Sequence, residues 1–354
     1  MRGDITVFYF ADDITLLYSL YPLLVTRLRK RFFFTKDLDY ILTRDRRKNL
    51  LVVRFMKRAD IADPAGLFQR LKDKYDRIVY FDDTADPREI KAELLPFVDR
   101  YLKKQVLRDR SDYLRPVYGK RLYTEYYHVR HGVIDDDEVS LPPIDASHLD
   151  KISLSWNLGI GSYPKSGVRK SLAVRAEAAL GVDFVRPFLS DPLSYRSVSP
   201  SRNQVSARFG TKFDRKTVSI HRRIFQDVAK SRGDLFLTGK VPLTEFNREL
   251  REVRAVLSPF GWGEICFRDF EAVLNNSVLI KPSMEHIETW PDIYVADRTF
   301  VPVDWEGSDL VRKTEAILND EKRRRDMTES ALAVLLDAHR NLEPRVEQLV
   351  REFK

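Results

Sequence analysis

Along the first 160 or so residues of the chain, short apolar runs rich in β-branched and aromatic residues alternate with segments of helical spacing. The runs predict strands at Ile5–Phe10, Asn49–Met56, Arg77–Asp82 and Lys151–Trp156. Apolar residues that recur every three or four positions predict a helix at Pro64–Tyr75, and a longer helical pattern follows from 87 to about 106. Alternating strands and helices are typical of a parallel sheet with helices on both faces.

A second alternating series follows after residue 200 and predicts another Rossmann-like unit. Its strands are predicted at Gln204–Phe209, Asp234–Thr238, Ala255–Ser258, Ser277–Ile280 and Thr299–Val303, and its helices at Thr217–Lys230, Leu243–Val253, Arg268–Asn275 and Ser308–Leu318. The Pro- and Ser-rich stretch Pro187–Ser201 is typical of an exposed linker. We therefore expect an α/β fold with two Rossmann-like domains, at 1–190 and 191–318, that face a central cleft, followed by amphipathic helices at 319–354.

The composition narrows the class of protein without deciding its function. The 354 residues carry 61 Lys and Arg against 53 Asp and Glu, and the net charge of +8 attracts phosphate-bearing partners of any kind. The longest uncharged apolar stretch, Ile14–Thr26, is shorter than the ~20 residues of a membrane-spanning helix. Acidic residues near the start argue against a secretory signal. The single cysteine, Cys266, excludes an internal disulfide, so we expect a cytoplasmic protein.

The segment from 257 to 294 contains the clearest candidate chemistry. A predicted strand ends at Ser258, and Gly261 and Gly263 in the following turn allow the backbone to approach a ligand closely. A helix predicted to start near Glu264 would direct free N–H groups toward an anion. Glu271 follows Glu264 by about two helical turns, so both carboxylates are expected on one side of that helix, where they would accept hydrogen bonds from sugar hydroxyls. The alternative is a helix-capping Glu264 and a solvent-facing Glu271.

The order of an SPFGWGE turn, an FEA helix, an SVLIKP strand and an HIETWP loop resembles the donor-binding domain of GT-B glycosyltransferases, particularly bacterial enzymes that build surface glycans. The resemblance is best over residues 204–305. Many members carry a Glu-x7-Glu pattern in which the second Glu holds the ribose of a nucleotide sugar and the first lies near the sugar. The resemblance thus implies a ribose contact for Glu271, while Glu264 is one residue too close for the strict spacing.

The same resemblance implies roles for three further residues. Arg208 and Lys212 match a strand-end Arg and a loop Lys that neutralise the donor diphosphate, which would stabilise the leaving group without a metal ion. His286 lies where such enzymes contact the nucleotide sugar. The alternatives are an ordinary basic loop and a loop histidine with a purely structural role. His221, Arg222 and Arg223 fall within a predicted helix and are expected on a solvated face.

The catalytic base is open at this stage. An inverting transfer needs a group that accepts the proton of the acceptor hydroxyl, and Asp82 and Asp83, directly after a predicted strand, are the candidates, with Asp12 and Asp13 as alternatives. All four are also ordinary turn residues, and a retaining transfer needs no such base. The acidic run from Asp135 to Glu138 lacks a flanking strand and is expected to be solvated, so we expect no metal site.

These features predict a metal-independent glycosyltransferase that moves a sugar from a nucleotide-diphosphate donor to a glycan or lipid-linked acceptor in bacterial surface-polysaccharide synthesis. Its expected partners are the nucleotide sugar and the acceptor, with no separate cofactor and no nucleic acid. A basic nucleic-acid-binding protein and a catalytically silent GT-B-like partner subunit stay open as alternatives. The apolar and basic stretch Leu16–Phe34 favours peripheral contact with the inner face of the membrane, or else forms a buried helix followed by a strand.

Overall fold

The computed structural model describes residues 3–9, 14–54, 62–137, 139–158, 167–189, 193 and 198–354. Its α-helices are α1 (Ile14–Val25), α2 (Pro64–Lys72), α3 (Leu122–His131), α4 (Gly167–Leu180), α5 (Lys216–Ser231), α6 (Leu243–Glu252), α7 (Phe267–Leu274), α8 (Leu310–Asn319), α9 (Glu321–Arg340) and α10 (Leu342–Arg351). Its strands are β1 (Ile5–Tyr9), β2 (Phe32–Thr35), β3 (Asn49–Val53), β4 (Arg77–Asp82), β5 (Arg100–Lys103), β6 (Gln105–Leu107), β7 (Val117–Tyr118), β8 (Ser140–Leu141), β9 (Ile152–Leu154), β10 (Arg202–Ser206), β11 (Phe236–Leu237), β12 (Val253–Leu257), β13 (Val278–Pro282), β14 (Ile287–Thr289) and β15 (Val301–Val303).

Six strands form a parallel sheet in the order β2-β1-β3-β4-β5-β9, which we call the N-terminal sheet. The central strands β1, β3 and β4 are buried almost from end to end, because both faces of the sheet are covered. This explains their continuous apolar runs. The four strands predicted in this part of the chain are confirmed, and β9 closes the sheet as expected.

The helix predicted from 87 to about 106 is wrong. This stretch contains a short 3-10 helix at Ala92–Phe97 and then β5 and β6. Pro96 has no N–H to continue a helix. Tyr101 and Leu102 pack into the cores on opposite faces of the sheet, as neighbours in a strand do. β5 has only two adjacent apolar residues, Tyr101 and Leu102, between Arg100 and Lys103, and so short an apolar run does not separate a strand from a helix.

Five strands form a second parallel sheet in the order β11-β10-β12-β13-β15, which we call the C-terminal sheet. Helices α5 to α7 connect these strands and α8 follows β15; all four lie within two residues of their predicted bounds. The chain therefore has the expected α/β fold with two Rossmann-like units. The predicted domain boundary between 190 and 191 falls at the edge of a stretch that lies mostly outside the described residues.

The two units are joined by more than the linker. In the antiparallel ladder β6–β14, β6 comes directly after β5 of the N-terminal sheet, and β14 comes directly after β13 of the C-terminal sheet. Helix α3 packs against α5. The predicted C-terminal helices are α9, which packs on α7 and β13, and α10, which returns to pack against α1 of the first unit. These contacts hold one unit against the other and fix the loops between them.

The first helix is a core element. The apolar side chains of α1 from Leu17 to Leu24 are buried, and β2 follows it. Of the two interpretations of Leu16–Phe34, membrane contact or a buried helix followed by a strand, the structure has the second. The apolar residues from Leu17 to Leu24 are therefore not exposed to a membrane. Among the described residues, no helix is both long and apolar enough to cross a bilayer.

Candidate functional site

The carboxyl-terminal ends of the two sheets meet through the loops that follow β4 and β12. Gly263 packs so closely on the loop after β4 that an added Cβ would lie 2.0 Å from the carbonyl oxygen of Ala85. The hydroxyl of Tyr123, on α3, donates to the carbonyl of Gly261. The amide of Arg108 donates to the carbonyl of His286 at 2.8 Å. The glycine turn and the His286 loop singled out in the sequence therefore face the N-terminal unit.

Four titratable side chains converge at this junction: Asp86, Arg121, Glu264 and His286, which we call the polar cluster. Arg121 Nε lies 3.5 Å from Asp86 Oδ2, and His286 Nε2 lies 3.5 Å from Glu264 Oε1. Both distances are too long for good hydrogen bonds. Both oxygens of Glu264, Oδ2 of Asp86, Nε and Nη1 of Arg121 and Nε2 of His286 are buried with no hydrogen-bond partner among the described residues.

Unsatisfied polar atoms in this number are exceptional, because each buried donor or acceptor without a partner costs about 1–3 kcal/mol. Glu264 is fully buried and Asp86 is 2% exposed. Trp262 lies outside the cluster, half exposed, with its ring 6.0 Å from the Arg121 guanidinium. The arrangement suits a ligand that brings several hydroxyl groups, since hydroxyls both donate and accept.

Burial changes the acidity of Asp86. Burial raises its pKa to about 6; the charge of Arg121 opposes this rise and that of Glu264 adds to it. Its other oxygen, Oδ1, accepts from the amides of Arg88 and Glu89 at 2.9 and 3.0 Å, which fixes the carboxyl group. Sequence reasoning missed Asp86, although it lies in the same strand-end loop as the two aspartates that were selected.

Asp82 and Asp83 do not reach the polar cluster. Asp82 accepts from Lys103 Nζ at 2.9 Å and from the hydroxyl of Tyr101 at 2.7 Å, and these partners hold its pKa below its ordinary value although burial raises it. Asp83 accepts from Ser19 Oγ and from Arg54 Nε. Both side chains are buried and hydrogen-bonded inside the N-terminal unit. Asp12 and Asp13 lie outside the described residues.

The two residues expected at the diphosphate have different surroundings. Arg208 Nη2 lies 2.7 Å from Glu249 on α6, and its Nη1 donates to the carbonyl of Thr238. Its charge is therefore already neutralised by a neighbour. Lys212 is exposed and forms no ion pair with any described residue. Arg268 in the first turn of α7 donates to the carbonyl of Arg208 at 3.1 Å and offers a further cation that sequence reasoning did not select.

Glu264 is not on the helix of Glu271. Helix α7 begins at Phe267 with Cys266 as its N-cap, so Glu264 precedes it and the two carboxylates are not placed by helical periodicity. Glu264 is fully buried in the polar cluster, whereas Glu271 is half-buried on α7. The expectation that both carboxylates share one helix face is wrong, because the chain turns between Gly263 and Cys266 before the helix starts.

His221 and Arg222 do not lie on a solvated face, and only Arg223 is exposed. Arg222 Nε donates to the carbonyl of Phe260 at 2.6 Å and Nη1 to that of Gly210 at 2.9 Å. His221 Nε2 accepts from the amide of Phe260 at 2.8 Å, and burial beside Arg222 lowers the pKa of His221 well below its ordinary value. A neutral His221 and a buried Arg222 thus hold together the loops after β10 and β12.

A buried ion pair fixes the start of α7 against β13. Lys281 Nζ lies 3.1 Å from Asp269, and both side chains are fully buried. Asp269 also accepts from Ser258 Oγ, from the hydroxyl of Tyr294 and from the amide of Cys266. These bonds satisfy the buried carboxylate and position the turn that presents Gly261, Gly263 and Glu264.

The acidic run is only partly solvated. Asp135 is buried and accepts from the amide and hydroxyl of Thr217 at the start of α5, at 2.8 and 2.9 Å. Asp136 and Asp137 are exposed, and Glu138 lies outside the described residues. Within the described ranges, no group of three or more His, Cys, Asp or Glu side chains is arranged to hold a metal ion.

No protein-family model and no curated protein sequence matches the chain. Similar solved structures include an α-glucosyltransferase with UDP and a 13-mer DNA (TM-score 0.47, 10% identity, 99% of both chains) and a DNA-modifying β-glucosyltransferase (0.46, 11%, 99% of both chains). HepE from Anabaena with UDP is another (0.44, 10%, 99% of this chain and 100% of the other). The expectation of no nucleic-acid partner gains no support from them.

Proposed function

We propose that the chain is a glycosyltransferase that binds a nucleotide-diphosphate sugar where the two sheets meet. The observation that carries the proposal is the polar cluster, in which buried carboxylate, guanidinium and imidazole atoms make no hydrogen bonds to described residues at the carboxyl ends of two parallel sheets. Such ends are where open parallel sheets bind ligands. A sugar supplies hydroxyls that donate to Glu264 and accept from Arg121, so it would satisfy atoms that the protein leaves unsatisfied.

The donor is proposed to lie along the carboxyl edge of the C-terminal sheet. Gly261 and Gly263 hold the turn after β12 against the N-terminal unit beside this edge, and Glu271 would hold the ribose hydroxyls. Lys212 and Arg268 are available to neutralise the diphosphate, and Arg208 would join them only by leaving Glu249. His286 would contact the sugar from the loop after β13. Positive side chains around a leaving diphosphate stabilise the charge that grows there, which is consistent with transfer without a metal ion.

For an inverting transfer, we propose Asp86 as the base in place of Asp82 or Asp83. Asp86 Oδ2 lies 3.5 Å from Arg121 but accepts no hydrogen bond from a described residue, whereas the two other aspartates accept hydrogen bonds from Lys103 and Arg54. The base would accept the proton of the acceptor hydroxyl as that oxygen attacks the anomeric carbon. The bond to the diphosphate breaks in the same step, and the leaving group departs with its electron pair.

The acceptor is proposed to be a glycan or a lipid-linked saccharide in polysaccharide synthesis. A cytoplasmic chain in peripheral contact with the membrane would meet such acceptors, although the contact would not use the buried face of α1. The net charge of +8 keeps nucleic acid as the alternative acceptor or ligand. Transfer assays with saccharide and oligonucleotide acceptors side by side separate the two.

Thermal unfolding with added nucleoside diphosphates tests the donor site. A ligand at about 100 times its Kd stabilises the folded chain by about 2.7 kcal/mol, so the melting temperature should rise with the preferred diphosphate. Glu271→Ala should abolish this rise, and Glu245→Ala, which removes an exposed carboxylate of the same unit, should retain it. An equal rise in Glu271→Ala would contradict the ribose contact, and no rise with any diphosphate would contradict the proposed function.

A further inference from the structure

A second concave site lies on the opposite edge of the C-terminal sheet. It is a cavity of about 320 Å³ between residues 198–200, the start of β12 and the first turns of α9. Three arginines line it, Arg254, Arg324 and Arg325, and we call it the arginine cavity. Arg254 is at the amino end of β12, whose carboxyl end leads to Gly261. At about 3.3 Å per residue along the strand, the arginine cavity is more than 10 Å from the polar cluster.

Two of these arginines are not paired closely with a carboxylate. Neither Arg254 nor Arg324 forms an ion pair with a residue in the part of the chain that the structure describes. Arg324 is 8% exposed, and its Nη1 donates to the carbonyls of Ile317 and Leu318 at the end of α8. Arg254 Nη1 donates to the side-chain oxygen of Asn203 at 2.8 Å. The rest of each guanidinium is left for another acceptor.

The two guanidinium groups also repel each other. Burial lowers the pKa of Arg324 and the positive charge of Arg254 lowers it further, while the carboxylates of Glu321 and Asp320 act in the opposite direction. Like charges brought together at the wall of one cavity cost free energy unless an anion lies between them. Arg254 and Arg324 thus place two guanidinium groups at the wall of one cavity, and neither forms an ion pair with a described residue.

The remaining lining residues set the size and character of a ligand. Glu321 lies 3.6 Å from Arg325, so these two charges offset each other, and Glu329 contributes a carboxylate to the wall. Ser199 and Thr328 add hydroxyls. The lining side chains keep a net positive charge, and the volume suits a small molecule. Guanidinium groups favour planar two-point contacts with phosphate oxygens.

We propose that the arginine cavity binds a small anion that bears a phosphate group, at a site separate from the proposed donor site. Arg254 and Arg324 would bind the phosphate oxygens, and Ser199 would donate a further hydrogen bond from the segment that enters the C-terminal unit. Binding there would fasten residues 198–200 to α9. The arginine cavity would bind such an anion whether or not the chain is a glycosyltransferase.

Calorimetric titration of the full chain with inorganic phosphate, at constant ionic strength set with chloride, tests the site. Saturable binding is expected and should weaken at least tenfold in Arg254→Gln. Arg251→Gln removes an exposed arginine of α6 that does not line the cavity and should bind as the unchanged chain does. Arg254 is the first choice because Arg324 also holds the end of α8, so its loss would disturb folding.

Variants of the donor side identify where the phosphate binds. Glu271→Ala and Lys212→Gln should leave phosphate binding unchanged, whatever they do to binding of nucleoside diphosphates. Binding that is lost in Lys212→Gln and kept in Arg254→Gln would overturn the proposal, as would the absence of saturable binding. A phosphate monoester such as glycerol phosphate, titrated in parallel, distinguishes free phosphate from a phosphorylated metabolite: the tighter binder is the better representative of the ligand.

Discussion

Asp86 combines an upward shift in pKa with a carboxylate oxygen that accepts no hydrogen bond from a described residue. Burial raises its pKa to about 6, so it is ionised above that pH and protonated below it. A base has to be ionised to accept a proton. The transfer rate is therefore expected to fall about tenfold for each pH unit below about 6 and to level off above it.

Initial rates of sugar transfer between pH 4.5 and 8 measure this dependence. Asp86→Asn should remove the base and lower the rate over the whole range, while the melting-temperature rise caused by a nucleoside diphosphate persists, since the donor lies on the other sheet. A wild-type rate that does not change through pH 6 would contradict the role of Asp86. A variant with the wild-type profile would do the same.

Gly263 shows how closely the two units approach. A Cβ at this position would lie 2.0 Å from the carbonyl oxygen of Ala85, and this backbone atom has no flexible side chain with which to move away. Gly263→Ala should therefore lower the free energy of unfolding by about 1–3 kcal/mol, as overpacking does. Denaturant unfolding measures the loss. Gly233→Ala is the matched control, because nothing lies within 4 Å of its added Cβ, and a loss as large there would refute the steric argument.

At the scale of the element, helix α5 of the C-terminal unit is capped by a residue of the N-terminal unit. Asp135 accepts from the amide of Thr217, which the helix itself leaves without a partner. Asp135→Ala should cost about 1–2 kcal/mol of unfolding free energy, whereas Asp135→Asn keeps an acceptor and should cost less. Asp137→Ala, at an exposed neighbour, should be nearly neutral in the same measurement. Equal losses at 135 and 137 would contradict the cap.

The elements that the sequence predicted well are those whose pattern is set locally. The buried strands β1, β3 and β4 are apolar because both sides are covered, and α5 to α8 show helical periodicity. The polar cluster was not predicted as a unit, because Asp86 and Glu264 are 178 positions apart in the chain and only the fold brings them together. Asp135 was misjudged for the same reason, since its partner Thr217 lies on the other unit.

At the scale of the whole molecule, the two sheets are held in a defined relation by contacts far from the linker. The ladder β6–β14, the hydrogen bond from Tyr123 to Gly261 and the return of α10 all cross between the units. The sequence predicted both units and the terminal helices, but amphipathic spacing in α10 does not say which unit it covers. The geometry of the polar cluster depends on these crossing contacts, because each unit supplies two of its four residues.

Arg345 on α10 contacts both units. Its Nη2 donates to the carbonyls of Leu154 and Ser155 at 2.9 and 2.7 Å, and its guanidinium lies 5.2 Å from the ring centre of Trp290 on the C-terminal unit. Arg345→Ala should leave two carbonyls without this donor and lower the free energy of unfolding by about 1–3 kcal/mol.

We expect the unchanged chain to unfold in one calorimetric transition. The Arg345→Ala variant should unfold in a broader transition at lower temperature, because its two units are less strongly coupled. Arg351→Ala, on the exposed side of α10, should unfold as the unchanged chain does. Identical transitions for Arg345→Ala and Arg351→Ala would mean that α10 does not couple the two units.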